Sequence, residues 1–263
     1  MPGHQGGGRM SSPSESALKR YQREKEYHNK AFADDIRRSV DKYYETIQSS
    51  RHAHRQAMAP LVPGTLVLEY GCGPGSSAFE LASLGAKVIG IDISEVAIAQ
   101  SKAEAKQRGL EIDFRCMNAE SLDFEDNTFD LIVGSAILHH LDLDKAYSEL
   151  SRCLKPGGRA VFIEPTGHNP LINWYRRRTP ALRTVDERPM RRPDFERADR
   201  YFSKVQVRYY NMLTTAAVLF RQGSWFRPIL RGLDALDRGL FWLVPGLKYW
   251  GWMAVMVLEK QTR

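Results

Sequence analysis

Glu69, Gly71, Gly73, Gly75 and Asp92 are the residues whose types and spacing suggest chemistry. The first four lie in V-L-E-Y-G-C-G-P-G, Val67 to Gly75, and Asp92 stands near the end of the run V-I-G-I-D-I, seventeen residues after Gly75. A hydrophobic run that breaks into alternating glycines reads as a strand, a tight turn and a helix. Without a Cβ, glycines adopt turn conformations closed to other residues and let a ligand lie against the backbone. A loop built for phosphate offers amides and a helix N-terminus to an anion. Glu69 would instead bring negative charge to that place, so the loop suits a cationic ligand. Asp92 stands where an acidic residue accepts hydrogen bonds from ribose hydroxyls.

A ribose with a positively charged tail describes S-adenosylmethionine. Two plainer readings compete. The glycines could form an ordinary strand-to-helix turn. A nicotinamide site would need G-x-G-x-x-G, and that fingerprint is broken because its sixth position is Ser76.

From Leu61 to about Pro165, roughly the central 40% of the chain, the motifs resemble in order the class I S-adenosylmethionine-dependent methyltransferase family. Glu69, Gly71, Gly73 and Gly75 match its E/D-x-G-x-G-x-G loop, and Asp92 matches its ribose-binding acid. Asn118 to Asp130 resembles the segment that lines adenine; Asn118 replaces the more usual Asp, and its carbonyl could accept from the adenine amino group. Leu131 to Leu141 looks like the fourth strand and its loop, and Leu154 to Pro165 like the turn into the fifth. The resemblance implies a cofactor lining of Glu69, Gly71, Cys72, Gly73, Gly75, Asp92, Ile93, Asn118, Ala119, Glu120, Ser135 and His140, with Ser135 and its loop holding the methionine end.

Transfer from a sulfonium is a one-step displacement, so the protein must chiefly align two reactants, an effect worth about 7–11 kcal/mol at best. A hydroxyl or amine acceptor also loses a proton, which a base assists. His139 and His140 after the fourth strand, and His168 with Glu164 after the fifth, are the candidates, imidazole having a suitable ordinary pKa. For His140 the plain alternative is a helix-start histidine bonded to backbone. Three cysteines, Cys72, Cys116 and Cys153, at scattered spacings form neither a metal knuckle nor a disulfide framework and suit reduced thiols in the cytoplasm, and no metal is expected.

These residues must be positioned by an α/β fold. Thr65 to Glu69, Lys87 to Ile91, Ile112 to Cys116, Leu131 to Gly134 and Ala160 to Glu164 read as strands, and those that are hydrophobic throughout are expected to be buried on both faces of a parallel sheet. By resemblance, Tyr201 to Tyr210 and Tyr249 to Leu258 complete a Rossmann-like, mostly parallel seven-stranded sheet whose last strand is antiparallel, with helices on both faces. Residues 1–13 are polar, glycine-rich and expected to be disordered, with no signal-peptide core. The resemblance implies that residues 14–60 form a helical cover in which Tyr27, His28 or Tyr44 could touch the methionine end, and that 61–263 form the methyltransferase domain.

Within that domain, about 166–245 is expected to be a basic insertion forming the substrate wall, with a short helix Pro170 to Arg178 and an amphipathic stretch Leu213 to Leu243. Residues 1–165 hold 20 Lys plus Arg against 23 Asp plus Glu, whereas 166–263 hold 18 against 8, and fifteen of those eighteen cations are arginine. Arginine forks grip carboxylates and phosphates, although Asp186, Glu187, Asp194 and Glu196 offer local partners. Gly239 to Leu258 is nearly all apolar, but Pro245-Gly246 and Lys248 interrupt it, so surface attachment to a membrane fits better than a span. The resulting expectation is a cytoplasmic enzyme, with peripheral membrane contact, that methylates a small acidic or lipid-like acceptor on a hydroxyl oxygen. A secondary metabolite, a sugar or a lipid-like compound would serve. N- or C-methylation, RNA methylation by the basic tail, and non-catalytic cofactor binding stay open. No N/D-P-P-Y/F motif or RNA-binding module is recognisable, and DNA is not expected as a partner.

Overall fold

The computed structural model describes residues 15–34, 45–75, 77–180 and 183–262; the expected tail 1–13, Tyr43, Tyr44 and Ser76 lie outside the described residues. In chain order the elements are α1 (Glu15–Ala33), α2 (Gln48–Met58), β1 (Leu66–Tyr70), α3 (Ala78–Ser83), β2 (Lys87–Asp92), α4 (Glu95–Arg108), β3 (Asp113–Cys116) and β4 (Phe129–Ser135). They continue as α5 (Leu143–Cys153), β5 (Leu154–Pro165), α6 (Pro170–Arg178), α7 (Arg192–Glu196), β6 (Lys204–Tyr210), α8 (Phe226–Leu243) and β7 (Met253–Glu259).

The seven strands form one sheet in the order β3-β2-β1-β4-β5-β7-β6. β1 to β5 pair in parallel, and β7 inserts antiparallel between β5 and β6. Because successive side chains in a strand point to opposite faces, the sheet feeds two cores. Val67, Leu131, Val133 and Val161 pack with Met58, Phe79 and Leu81 on the side of α2 and α3, while Leu68, Tyr70, Ile132 and Phe162 pack with Tyr147 and Leu150 on the side of α5.

Local sequence sets the helix ends. Ser94 caps α4 by accepting the Ala97 amide, and Gly109 closes it at φ 64°. Asp142 caps α5, and Asn169 caps α6 immediately before Pro170. The C-terminal third departs from the expected boundaries. Tyr249 to Leu258 is strand only from Met253, because Pro245–Trp250 coil into a 3-10 turn. Tyr201 to Tyr210 is strand only from Lys204, and the amphipathic stretch divides into a 3-10 segment, Thr214–Phe220, and α8. No described helix is long and apolar enough to cross a membrane.

Chain order reverses between β1 and β4, and in open parallel sheets ligands bind beyond the strands' carboxyl ends at such a point.

Candidate active site

Gly71 adopts φ +71°, and a Cβ there would stand 2.6 Å from Ile137 Cγ1, so the loops after β1 and β4 touch only because this position lacks a side chain. Gly71, Cys72 and Gly73 wall a cavity of about 1150 Å³. Gly75 turns away from it, toward Phe79. Burial pushes the Cys72 thiol far up, which keeps it protonated.

Asp92 accepts the Gly73 amide on Oδ2 at 2.8 Å and the Ser94 amide on Oδ1 at 2.9 Å, holding the glycine loop while still facing the cavity. Each carboxylate oxygen has a second lone-pair site, which leaves acceptors for a diol.

Glu69 corrects the sequence reading. Its Oε1 accepts the Ser77 amide and its Oε2 the Ala78 amide, both at 2.9 Å. The carboxylate is buried beneath the loop, off the cavity wall, where it satisfies free amides at the start of α3. Burial pushes its pKa up to about 7, with those amides pulling the other way. It therefore shapes the loop rather than presenting a charge to a ligand.

Ile93, Asn118, Ala119, Glu120 and Ser135 line the cavity as expected. Asn118 spends one lone pair of its Oδ1 on the Glu120 amide at 2.9 Å, a turn that orders the segment. Ala136, just past β4, sits at φ 54°, in the left-handed region that non-glycine residues enter at a cost of about 1–3 kcal/mol, and it faces the cavity.

α1 forms the cover. Arg20 reaches the His140 carbonyl at 3.0 Å and Glu120 Oε1 at 2.5 Å, Lys25 pairs with Glu95, and Arg23 pairs with Asp186. Arg20, Glu24, His28 and Phe32 recur every fourth residue and all line the cavity. Of the expected aromatic contacts from the cover, His28 lies on the wall and Tyr27 does not. Arg20 and Glu24 were missed in the sequence; their four-residue spacing was the available signal.

The three candidate bases separate. His140 is on the wall, its Nδ1 3.1 Å from Glu24 Oε2, with His28 Nε2 3.4 Å from the same oxygen and edge-on to His140. Burial pushes the His140 pKa down to about 4, so its imidazole is neutral at pH 7 and a weaker base than an ordinary histidine. Burial acts to raise the Glu24 pKa, but the two imidazoles and Thr184 outweigh it and hold the carboxyl well below its usual range.

His139 points behind the wall, its Nδ1 2.7 Å from Glu164 Oε2, while Glu164 Oε1 accepts the Ile137 and Leu138 amides. That arrangement braces the loop after β4. Burial raises the Glu164 pKa to about 7. His168 does not line the cavity: it accepts the Arg192 amide at 3.1 Å and stands beside Tyr249. Among the described residues two groups, Glu24–His28–His140 and His139–His140–Glu187, are compact enough to share a cation, an arrangement that cysteine spacing could not reveal.

Fold, glycine loop and Asp92 together resemble those of class I S-adenosylmethionine-dependent methyltransferases. Residues 68–162 match the family model described as a methyltransferase domain. The chain is 40% identical over 120 residues to the sterol 24-C-methyltransferase of Saccharomyces cerevisiae, a match covering 44% of this chain and 31% of that one. It is 32% identical over 162 residues to a ubiquinone biosynthesis O-methyltransferase of Brucella ovis, covering 57% and 62%. The chain thus spans less than two-thirds of the length of either relative.

Among solved structures, phosphoethanolamine N-methyltransferase 2 of Haemonchus contortus in complex with S-adenosyl-L-methionine aligns with a TM-score of 0.61 at 19% identity, over 88% of this chain and 60% of that one. The cyclase SpnF aligns at 0.53 with 22% identity, over 80% and 82%. At these identities the likeness concerns the fold.

Proposed function

We propose that the protein transfers the methyl group of S-adenosylmethionine to a small, lipid-like acceptor, at a hydroxyl oxygen. The observation that carries this reading is one cavity at the switch point that holds the Gly71–Gly73 loop and Asp92 at one side and His140 in its wall. Its volume of about 1150 Å³ exceeds the ~300–1,000 Å³ typical of a single drug-sized ligand, so cofactor and acceptor fit together.

In this reading Asp92 holds the ribose, and the Asn118–Glu120 segment lies along the adenine. Ser135 and Ala136 meet the methionine end. The cofactor supplies an activated methyl group; the chain aligns the acceptor and excludes water, with α1 closing one side. His140 takes the acceptor's proton, and Glu24 and His28 position its ring. The relatives' names include a sterol and ubiquinone, which supports an apolar acceptor. Phenolic, quinol, sterol and sugar acceptors offered with methyl-labelled cofactor test the reading, and labelled ether product from a hydroxylated apolar compound is expected.

Methylation on carbon is the second reading, favoured by the likeness to a sterol C-methyltransferase. Because the cyclase SpnF shares the fold, non-catalytic binding or other chemistry is the third. Label on carbon would select the second. Tight cofactor binding with no S-adenosylhomocysteine from any acceptor would select the third.

A further inference from the structure

α8 exposes apolar side chains on its outward face as well as burying others, whereas a helix on a water-facing surface ordinarily turns polar residues outward. Its inner side carries Leu230 and Asp237, both buried. The outer side runs Trp225, Pro228, Gly232, Ala235, Leu236, Gly239, Trp242 and Leu243, at the three- and four-residue spacing that stacks side chains on one face. No charged residue interrupts this stripe. Trp225 at one end is 71% exposed and Trp242 at the other 80%.

The apolar surface continues beyond the helix. Leu219 and Phe220 in the 3-10 segment before it, and Val244 and Trp250 in the turn after it, are exposed large apolar residues. So are Leu171 and Trp174 on α6, whose cap Asn169 donates to the Trp250 carbonyl.

Charge settles what covers this face. Arg227, Arg231 and Arg238 form a line along one flank of the stripe, and Arg177, Arg178 and Lys248 lie on the neighbouring elements. Arg238 is paired with Asp234, but among the described residues Arg227 and Arg231 have no carboxylate partner. An apolar stripe with tryptophan at both ends and a cationic border is the pattern of a helix lying in the plane of an anionic membrane interface. At 18 residues, or about 27 Å, with five charged residues, α8 does not cross a bilayer.

Its place in the fold is also suited to this. Asp237 accepts the Met212 and Leu213 amides, pinning α8 where the chain leaves β6. β6 runs in the same direction as β1 to β5, so α8 lies at the carboxyl edge of the sheet, the edge that carries the cavity.

We infer that the outward face of α8, with the adjoining 3-10 turns and α6, docks the protein onto a bilayer containing anionic phospholipid. The inference is independent of methyl transfer: vesicle binding is measured without turnover, and cofactor binding without vesicles.

The full chain is mixed with phosphatidylcholine vesicles with and without phosphatidylglycerol, and the fraction that floats with lipid is measured. Strong flotation with phosphatidylglycerol and weak flotation without it are expected. Trp242→Glu with Leu236→Glu should reduce flotation at least tenfold while cofactor affinity and Tm stay at parental values. Arg227→Glu with Arg231→Glu should abolish the preference for anionic lipid and most of the salt dependence. A parent chain that stays unbound at low salt overturns the inference, as does equal flotation of the charge-reversed variants. So does a concentration-dependent dimer, dispersed by Trp242→Glu, in a chain that ignores vesicles; that outcome would assign the face to self-association.

Discussion

Asp92 and Glu69, two carboxylates near one loop, have different work, and substitution separates them. Asp92 faces the cavity as well as holding Gly73, so Asp92→Ala should weaken S-adenosylmethionine binding about ten- to a hundred-fold, the scale of lost hydrogen bonds to a charged acceptor. Glu69→Ala strands two amides at the start of α3, each costing about 1–3 kcal/mol when buried without a partner. It should therefore appear first as a lower Tm. The histidines separate in the same way. His140→Gln should reduce kcat by about 10²–10⁴-fold if proton removal is its role, with cofactor Kd changed only a few-fold. His168→Gln should leave both constants unchanged, because that ring lies off the cavity. The placement of Gly71, Gly73 and Asp92 on the cavity was legible, since it is local to a motif. The inward turn of Glu69 and the meeting of Glu24 with His140 were not: both depend on which side of a loop or helix faces the core.

α1 and α2 show how helices tune the site and the stability. Arg20 ties α1 to Glu120 and to the His140 carbonyl, so Arg20→Ala should speed release of S-adenosylhomocysteine several-fold in stopped-flow measurements. On α2, His54 is buried beside the Val161 carbonyl, and burial pushes its pKa down to about 4. The unfolded chain binds that proton near pH 6.5 and the folded chain only near pH 4. Stability therefore falls as pH drops through this window, by roughly 3 kcal/mol for one such group. Thermal melts between pH 7 and pH 4.5 should show this loss, and His54→Gln should reduce the slope without removing the part due to His140, whose pKa is displaced in the same direction. The central strands β1, β4 and β5 were legible because short apolar runs alternate there with helical segments, the pattern of an α/β chain. The C-terminal elements were less so: an apolar run such as Gly239 to Leu258 fits helix, turn or strand until Pro245 and the pairing of β7 with β5 decide it.

Across the whole molecule, the sheet order brings loops from β1, β2, β3 and β4 to one cavity and leaves the basic, aromatic C-terminal third beside it. Much of the arginine excess has local partners, as Arg188 with Asp194 and Arg192 with Glu196, so the expectation that it grips an acidic ligand loses force. Those local partners were visible in the sequence, whereas Arg23–Asp186 and Arg197–Asp144, which join residues far apart in the chain, were not. The account as a whole depends on the cavity being an S-adenosylmethionine site organised by Asp92. Isothermal titration of the parent chain and of Asp92→Ala with S-adenosylmethionine tests this most directly. One-to-one binding by the parent, weakened ten- to a hundred-fold in the variant, is the predicted result. No binding heat with the parent at any temperature, or equal affinity in the two proteins, would contradict it.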